Sequence, residues 1–159
     1  MNHTPRTLVA LAAVLFSLFT GCSERDKVVN VDENDPEMLA AIDKARESLP
    51  QFWQVFEDRG RGESNFALKV KITDKNGTEH FWATEIERKD GRTMATINND
   101  PNIVASVKLG DRIEIPEADI SDWLYIRNEK MVGNETLRPL LNRMPAEEAE
   151  KLEAMMADP

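Results

Sequence analysis

A single cysteine, two histidines and one tyrosine in 159 residues narrow the chemistry before any pattern is read. One cysteine excludes an internal disulfide, and two histidines exclude a histidine-rich metal centre. Basic residues are outnumbered: 20 Lys+Arg against 29 Asp+Glu give a net charge of −9, the wrong sign for a nucleic-acid footprint. No apolar run reaches the ~20 residues that a membrane-spanning helix needs. Repeats and low-complexity tracts are also missing, and no cofactor-binding motif is recognisable, so no cofactor is expected. What remains is 41% hydrophobic and 31% charged, which suits one folded domain with a short appendage.

The first residues stand apart. Residues 8–19 are apolar except for Ser17, and Thr20, Gly21 and Cys22 follow. A run of this length, apolar all round and preceded by one arginine, reads as the hydrophobic region of a secretory signal. Phe19-Thr20-Gly21-Cys22 resembles a bacterial lipobox, although that pattern usually carries Leu where this chain has Phe19. The resemblance implies that Cys22 is acylated and becomes the new N-terminus, anchoring the protein in the membrane by lipid. Ser23 in place of Asp resembles sorting to the outer membrane. The chain is therefore expected to divide into a signal peptide at 1–21, an acidic tether at 22–35, a domain at 36–144 and an acidic C-terminal helix at 145–159. The charge supports this division: residues 36–144 hold 19 acidic and 16 basic residues, while 145–159 hold five and one.

Within the domain, Asp35 as a cap and Pro36 in the first turn open a helix. Met38, Ile42, Ala45 and Leu49 recur at helical spacing, and Phe52, Trp53 and Phe56 extend the apolar face. Pro50 is expected to kink or restart this helix, with Ser48 as a second cap. The period then changes to two. Phe66, Leu68, Val70 and Ile72 alternate with Ala67, Lys69, Lys71 and Thr73, which predicts a strand with one buried and one wet face. Further strands are expected at 79–87, 93–98, 107–109, 112–115 and 120–127, separated by turn residues such as Asn76-Gly77 and Asp90-Gly91. Residues 136–143 and 145–157 read as helices. The fold class is α+β: an N-terminal helix, a curved antiparallel sheet or small half-open barrel of about five strands, and C-terminal helices. With only Leu152, Met155 and Met156 as an apolar set, the last helix is expected to pack loosely, so that its removal would cost about 1–2 kcal/mol.

Several motifs along these strands carry a resemblance. Glu79-His80-Phe81-Trp82, Asn98-Asn99-Asp100-Pro101, Leu109-Gly110-Asp111 and Ile120-Ser121-Asp122-Trp123-Leu124-Tyr125 are similar to the bacterial YegJ-like domain of unknown function. Lys130-Met131-Val132-Gly133 and Thr136-Leu137-Arg138 extend the similarity, which covers residues 65–138. That family often has Met at the position of Leu124 and an aromatic residue at that of Glu135. The resemblance implies a fold and a secreted compartment, and no activity.

Candidate site residues follow from residue chemistry. His80, the one histidine of the expected mature chain, would serve as a general base if a carboxylate oriented it; the simpler reading is a half-exposed strand histidine. Asp122 shares a strand face with Ile120 and Leu124. Burial there would demand partners, either Arg138 or backbone amides, which makes a structural anchor the simpler reading than a catalytic acid. Asp119 and Asp122 are too poorly placed on one strand to hold a metal, and none is expected. Trp82, Trp123 and Tyr125 could line a ligand groove with Arg138 at its mouth, or could be ordinary core aromatics. Two functions are therefore expected in competition. One is a lipid-anchored envelope module that binds a protein or small ligand without catalysis; the other is a small periplasmic hydrolase using His80 with a nearby carboxylate. The anchor is directly testable. Cys22→Ser should release the protein from the membrane fraction and abolish the mass added by acyl groups; equal membrane association of both forms would refute lipidation.

Overall fold

The computed structural model describes residues 8–12, 28–32, 34–58 and 62–157. Cys22 and the expected lipobox lie outside them. Two strands, β1 (Leu8–Ala12) and β2 (Val28–Asp32), pair antiparallel at one edge of the sheet. β1 falls within residues 1–21, the segment expected to be a signal peptide. The helix α1 (Pro36–Glu57) follows. The Asp35 carboxylate accepts the N–H groups of Glu37 and Met38 at 3.0 and 3.1 Å, satisfying donors that the first turn leaves free.

α1 runs unbroken through Pro50, and Ser48 does not cap a second helix. The Ser48 hydroxyl instead donates to the carbonyls of Lys44 and Ala45, at 2.9 and 3.1 Å. A proline in a helix interior costs about 3 kcal/mol. Leu49, Phe52, Trp53 and Phe56, all buried on the sheet around Pro50, outweigh that loss.

Six antiparallel strands follow: β3 (Ser64–Asp74), β4 (Gly77–Lys89), β5 (Arg92–Ile97), β6 (Arg112–Glu114), β7 (Ile120–Arg127) and β8 (Lys130–Gly133). The path across the sheet is β2-β1-β4-β3-β7-β8, with β5 on β4 and β6 on β5. The sheet is open: no pairing among the described strands closes it into a barrel. Two expectations change. Residues 107–109 form no strand, because the segment before them is pinned elsewhere. The buried Glu79 carboxylate accepts the N–H groups of Asn102, Ile103 and Val104 at 2.9–3.2 Å, and Asp74 accepts those of Ala105 and Ser106. β8, for its part, is a strand that its two apolar residues were too few to announce.

β4 is longer than its pairing with β3. The last register pair is Leu68↔Ala83. Beyond it the strands part: among the described strands, residues 64–67 pair only with β7, and residues 84–89 only with β5. A bulge sits on each side of this fork, between Ser64 and Ala67 and between Thr84 and Glu87. Asn65 and Glu85 take the left-handed φ values of 53° and 50° there. Bulges bend and twist a strand, which accounts for the divergence.

The main core lies between α1 and one sheet face, where Phe52 meets Trp53, Phe66 and Trp123 at ring centroids of 5.0, 5.8 and 5.4 Å. Gly133 permits this packing. Its φ is 85°, and a Cβ there would stand 2.4 Å from the Trp123 carbonyl oxygen. A second, smaller core joins Met38 of α1 to Leu137, to Leu140 of α2 (Arg138–Leu141), and to Leu152 and Met156 at α3 (Ala146–Met155).

This second core changes the expectation for the C-terminal helix. Met155 is exposed, but Leu152 and Met156 are buried. Met156 forms a parallel bridge with Met131 of β8, and the Ala157 N–H donates to the Met131 carbonyl at 2.8 Å. The segment is thus an added piece of sheet edge as well as a helix. At ~1.5–3 kcal/mol for each buried side chain, deleting residues 145–159 should cost about 3–5 kcal/mol. Urea melts of the intact and truncated proteins measure this, and a loss under about 1 kcal/mol would contradict the packing.

Candidate functional site

Trp82, Lys69 and Asp122 stand opposite one another on β4, β3 and β7, forming one row on the sheet face away from α1. Strand alternation put Lys69 on a wet face, yet it is 2% exposed. Its cover is the one-turn helix Glu135–Leu137, which the β7–β8 hairpin delivers back over the sheet. Lys69 Nζ donates to Thr136 Oγ1 at 2.9 Å and sits 5.2 Å from the centre of the Trp82 ring.

Asp122 is fully buried. Its Oδ2 accepts the Thr136 hydroxyl at 2.6 Å and the Thr136 N–H at 2.8 Å, while Oδ1 accepts the N–H groups of Trp123 and Glu135 at 2.8 and 3.2 Å. The Thr136 hydroxyl therefore accepts from the ammonium and donates to the carboxylate, bridging the pair. Burial pushes the Asp122 carboxyl above its ordinary range, against the pull of Lys69 and the donors around it. Burial likewise pushes Lys69 down to about 8, against the attraction of Asp122. Of the two partners expected for Asp122, backbone amides are present. Arg138 instead bonds Glu135 at 3.1 Å and the Ala157 carbonyl at 3.4 Å. The expected face-sharing of Asp122 with Ile120 is also absent. A bulge at Ser121, where Lys69 pairs with Asp122 but Val70 with Ile120, turns Ile120 into the main core.

His80 is buried rather than half-exposed. Among the described residues its hydrogen-bond partner is no carboxylate: Nδ1 meets Ser121 Oγ at 2.7 Å, and that hydroxyl also donates to the Lys69 carbonyl at 3.2 Å. Burial first, then the charges of Lys69, Lys71 and Arg46, pushes the imidazole down to about 3. It is neutral at physiological pH. The paired serine and histidine lie under a sealed surface, with Ser121 as buried as the core.

The four residues expected around a groove are not brought together. Trp123 and Tyr125 are buried in the core under α1, where Trp123 Nε1 donates to the Ala45 carbonyl at 2.8 Å. Arg138 is engaged with Glu135. Only Trp82 faces an opening, and that opening is the fork between β3 and β4. A cavity of about 810 Å³ fills it, walled by Ala67, Trp82, Leu124, Ile126, Met131 and Met155, with Phe56 and Phe66 beyond. Asn65, Glu85 and Glu129, three of the six non-glycine residues with positive φ among the described residues, stand at its rim. Sequence reasoning missed Lys69 and Thr136, while the presence of Ser121 along with His80 and Asp122 in the sequence defined no arrangement until the register was known. The one signal for Lys69 was a lysine opposite an aspartate on neighbouring strands, invisible until the register is known. Among the described residues no group of three or more His, Cys, Asp or Glu side chains is arranged to hold a metal.

An N-terminal helix laid over an antiparallel sheet, with C-terminal helices closing a second core, defines a single α+β domain class. The chain belongs to the DUF2314 family of uncharacterized proteins conserved in bacteria, whose profile matches residues 35–157. It is 36% identical over 152 residues to the uncharacterized protein YegJ of Escherichia coli K12, covering 95% of this chain and 98% of that one. It is also 29% identical over 127 residues to a putative ankyrin repeat protein of Neisseria meningitidis serogroup B, covering 74% of this chain and half of that protein. No solved structure matches.

The buried polar row makes two measurable predictions. Asp122→Ala strands the Lys69 ammonium and four donors, the Thr136 hydroxyl and three backbone N–H groups, and should cost about 3–5 kcal/mol in a urea melt; an unchanged midpoint would mean that Asp122 is solvated. For His80, the folded state binds its proton only near pH 3, whereas the unfolded chain binds it near pH 6.5. Stability is therefore full above about 6.5 and falls as the pH drops toward 3, by up to about 1.4 kcal/mol per pH unit. Melts at pH 7.5, 6.5 and 5.5 should show this slope in the wild type and lose it in His80→Gln. Parallel curves for the two proteins would show that His80 is free to protonate in the fold.

Proposed function

We propose that this protein is a lipid-anchored module of the bacterial cell envelope, held at the outer membrane through Cys22, that binds an apolar ligand or protein segment without catalysis. The observation that carries the reading is the cavity in the fork of the sheet. It is large and walled by side chains of four strands and the end of α3. Cavities of this kind, mostly apolar with a few polar groups at the rim, are where small molecules and peptide segments bind. The ionisable groups best suited to chemistry lie elsewhere: Lys69, Asp122 and His80 are buried and bonded to one another's neighbours.

The hydrolytic alternative has one observation in its favour, the 2.7 Å contact between His80 and Ser121. Against it stand the burial of both groups and an imidazole too weakly basic to take a proton at neutral pH. Equal, background-level ester hydrolysis by the wild type and His80→Gln is expected.

The binding reading is tested with a neutral apolar fluorophore, N-phenyl-1-naphthylamine, and the lipid-free Cys22→Ser protein. Saturable binding with one site is expected, weakened at least tenfold by Leu124→Arg and also by Met155→Glu, which changes an exposed wall residue at little risk to the fold. Absence of saturable binding, or binding indifferent to both variants, would remove the cavity as a site.

A further inference from the structure

The geometry points to an extended peptide segment as the occupant of the fork, added as a strand between β3 and β4. This inference rests on the cavity being a binding site and specifies what fills it. Among the described strands, residues 64–67 of β3 and 84–89 of β4 each have one neighbour, β7 and β5 respectively, and neither pairs across the fork. Each segment thus turns an open ladder edge toward the cavity. An open edge is a template for another strand, and two facing edges are a slot for one.

The two bulges keep the slot open. Asn65 and Glu85 hold left-handed backbone angles, ordinary for an asparagine and uncommon for a glutamate. Without these bulges, β3 and β4 would continue the ladder that ends at Leu68↔Ala83 and the cavity would close. The open segments are four and six residues long, so an inserted strand of about four to six residues matches them at ~3.3 Å per residue.

Side chains of alternate residues would meet Trp82, Leu124, Ile126 and Met131 on the cavity face. At the rim, the exposed carboxylates of Glu85 and Glu129 suit a basic residue at an end of the peptide. Glu85 accepts the Thr96 hydroxyl at 2.7 Å, while Arg112 is engaged with the Glu85 carbonyl and Glu87, Arg127 with Glu63 and Lys130 with the Ala154 carbonyl. An acyl chain would fit the apolar walls equally well, but it would bury two ladder edges without satisfying them. A peptide backbone pairs with both.

The test selects peptides from a random 12-residue phage library on the Cys22→Ser protein, then synthesises the enriched sequences with and without N-methyl groups at alternate residues. Enrichment of apolar residues at every second position is expected, with a Lys or Arg near one end. Displacement of N-phenyl-1-naphthylamine by these peptides is expected too, with at least a tenfold loss of affinity on N-methylation and again with Met155→Glu. Peptides whose binding N-methylation leaves unchanged would overturn strand addition while leaving the cavity a binding site. Saturable fluorophore binding without any peptide enrichment would overturn the peptide as occupant and favour an acyl ligand. If neither peptide nor fluorophore binds, both this inference and the cavity reading fail.

Discussion

A fully buried carboxylate must be surrounded by donors, and much of this fold is arranged around satisfying one. Asp122 accepts four hydrogen bonds, three from the turn that follows β8 and one from its own neighbour. That turn must come back over the sheet to supply them, and in doing so it covers Lys69. The ammonium is then held by the same threonine hydroxyl that serves the carboxylate. Removing any one member leaves another buried and unmatched, so the row is rigid by mutual dependence. Gly133 completes the arrangement from the other side: only a residue without a Cβ lets the chain pass Trp123 closely enough to reach Asp122.

The sheet has two unlike faces because of this. Under α1 it is an aromatic core with Phe52 at the centre. On the opposite face the middle is sealed and polar, while the end where β3 and β4 part is apolar and open. Trp82 stands at the border, one side toward the Lys69 ammonium and the other lining the cavity. Chemistry that needs a titratable group and chemistry that needs a receptive surface are thus separated by one side chain.

Periodicity made much of this legible. The helical spacing of Met38, Ala45, Leu49, Phe52 and Phe56, and the alternation from Phe66 to Ile72, correspond to α1 and β3. The turn residues Asn76-Gly77 and Asp90-Gly91 mark the first two hairpins where they occur. What escaped depends on contacts distant in sequence. Lys69 reads as solvent-facing because its cover, Thr136, lies 67 residues away. Ile120 and Asp122 read as sharing a face because a bulge at Ser121 leaves no local mark. Pro50 reads as a break because the packing that overrides it belongs to the sheet. The aromatic residues read as one group because a sequence does not say which face of a sheet each side chain takes, and the register assigns Trp82 to one side and Trp123 with Tyr125 to the other.

The cap of α1 has a consequence for the order in which the molecule can assemble. Asp35 receives two N–H groups of its own helix and also Arg143, at 2.5 Å and 108 residues along the chain, while Arg143 holds Glu37 at 2.7 Å. The guanidinium keeps the Asp35 carboxyl below its usual range. The first helix can form from local signals, but the clamp on its first turn and the small core beneath it wait for residues near the other end. Contacts of such long separation slow folding, since the loop between them must be ordered first. During synthesis, therefore, α1 would for a time present Met38 and Ile42 uncovered, since the segments that hide them, around Leu140, Leu152 and Met156, emerge much later.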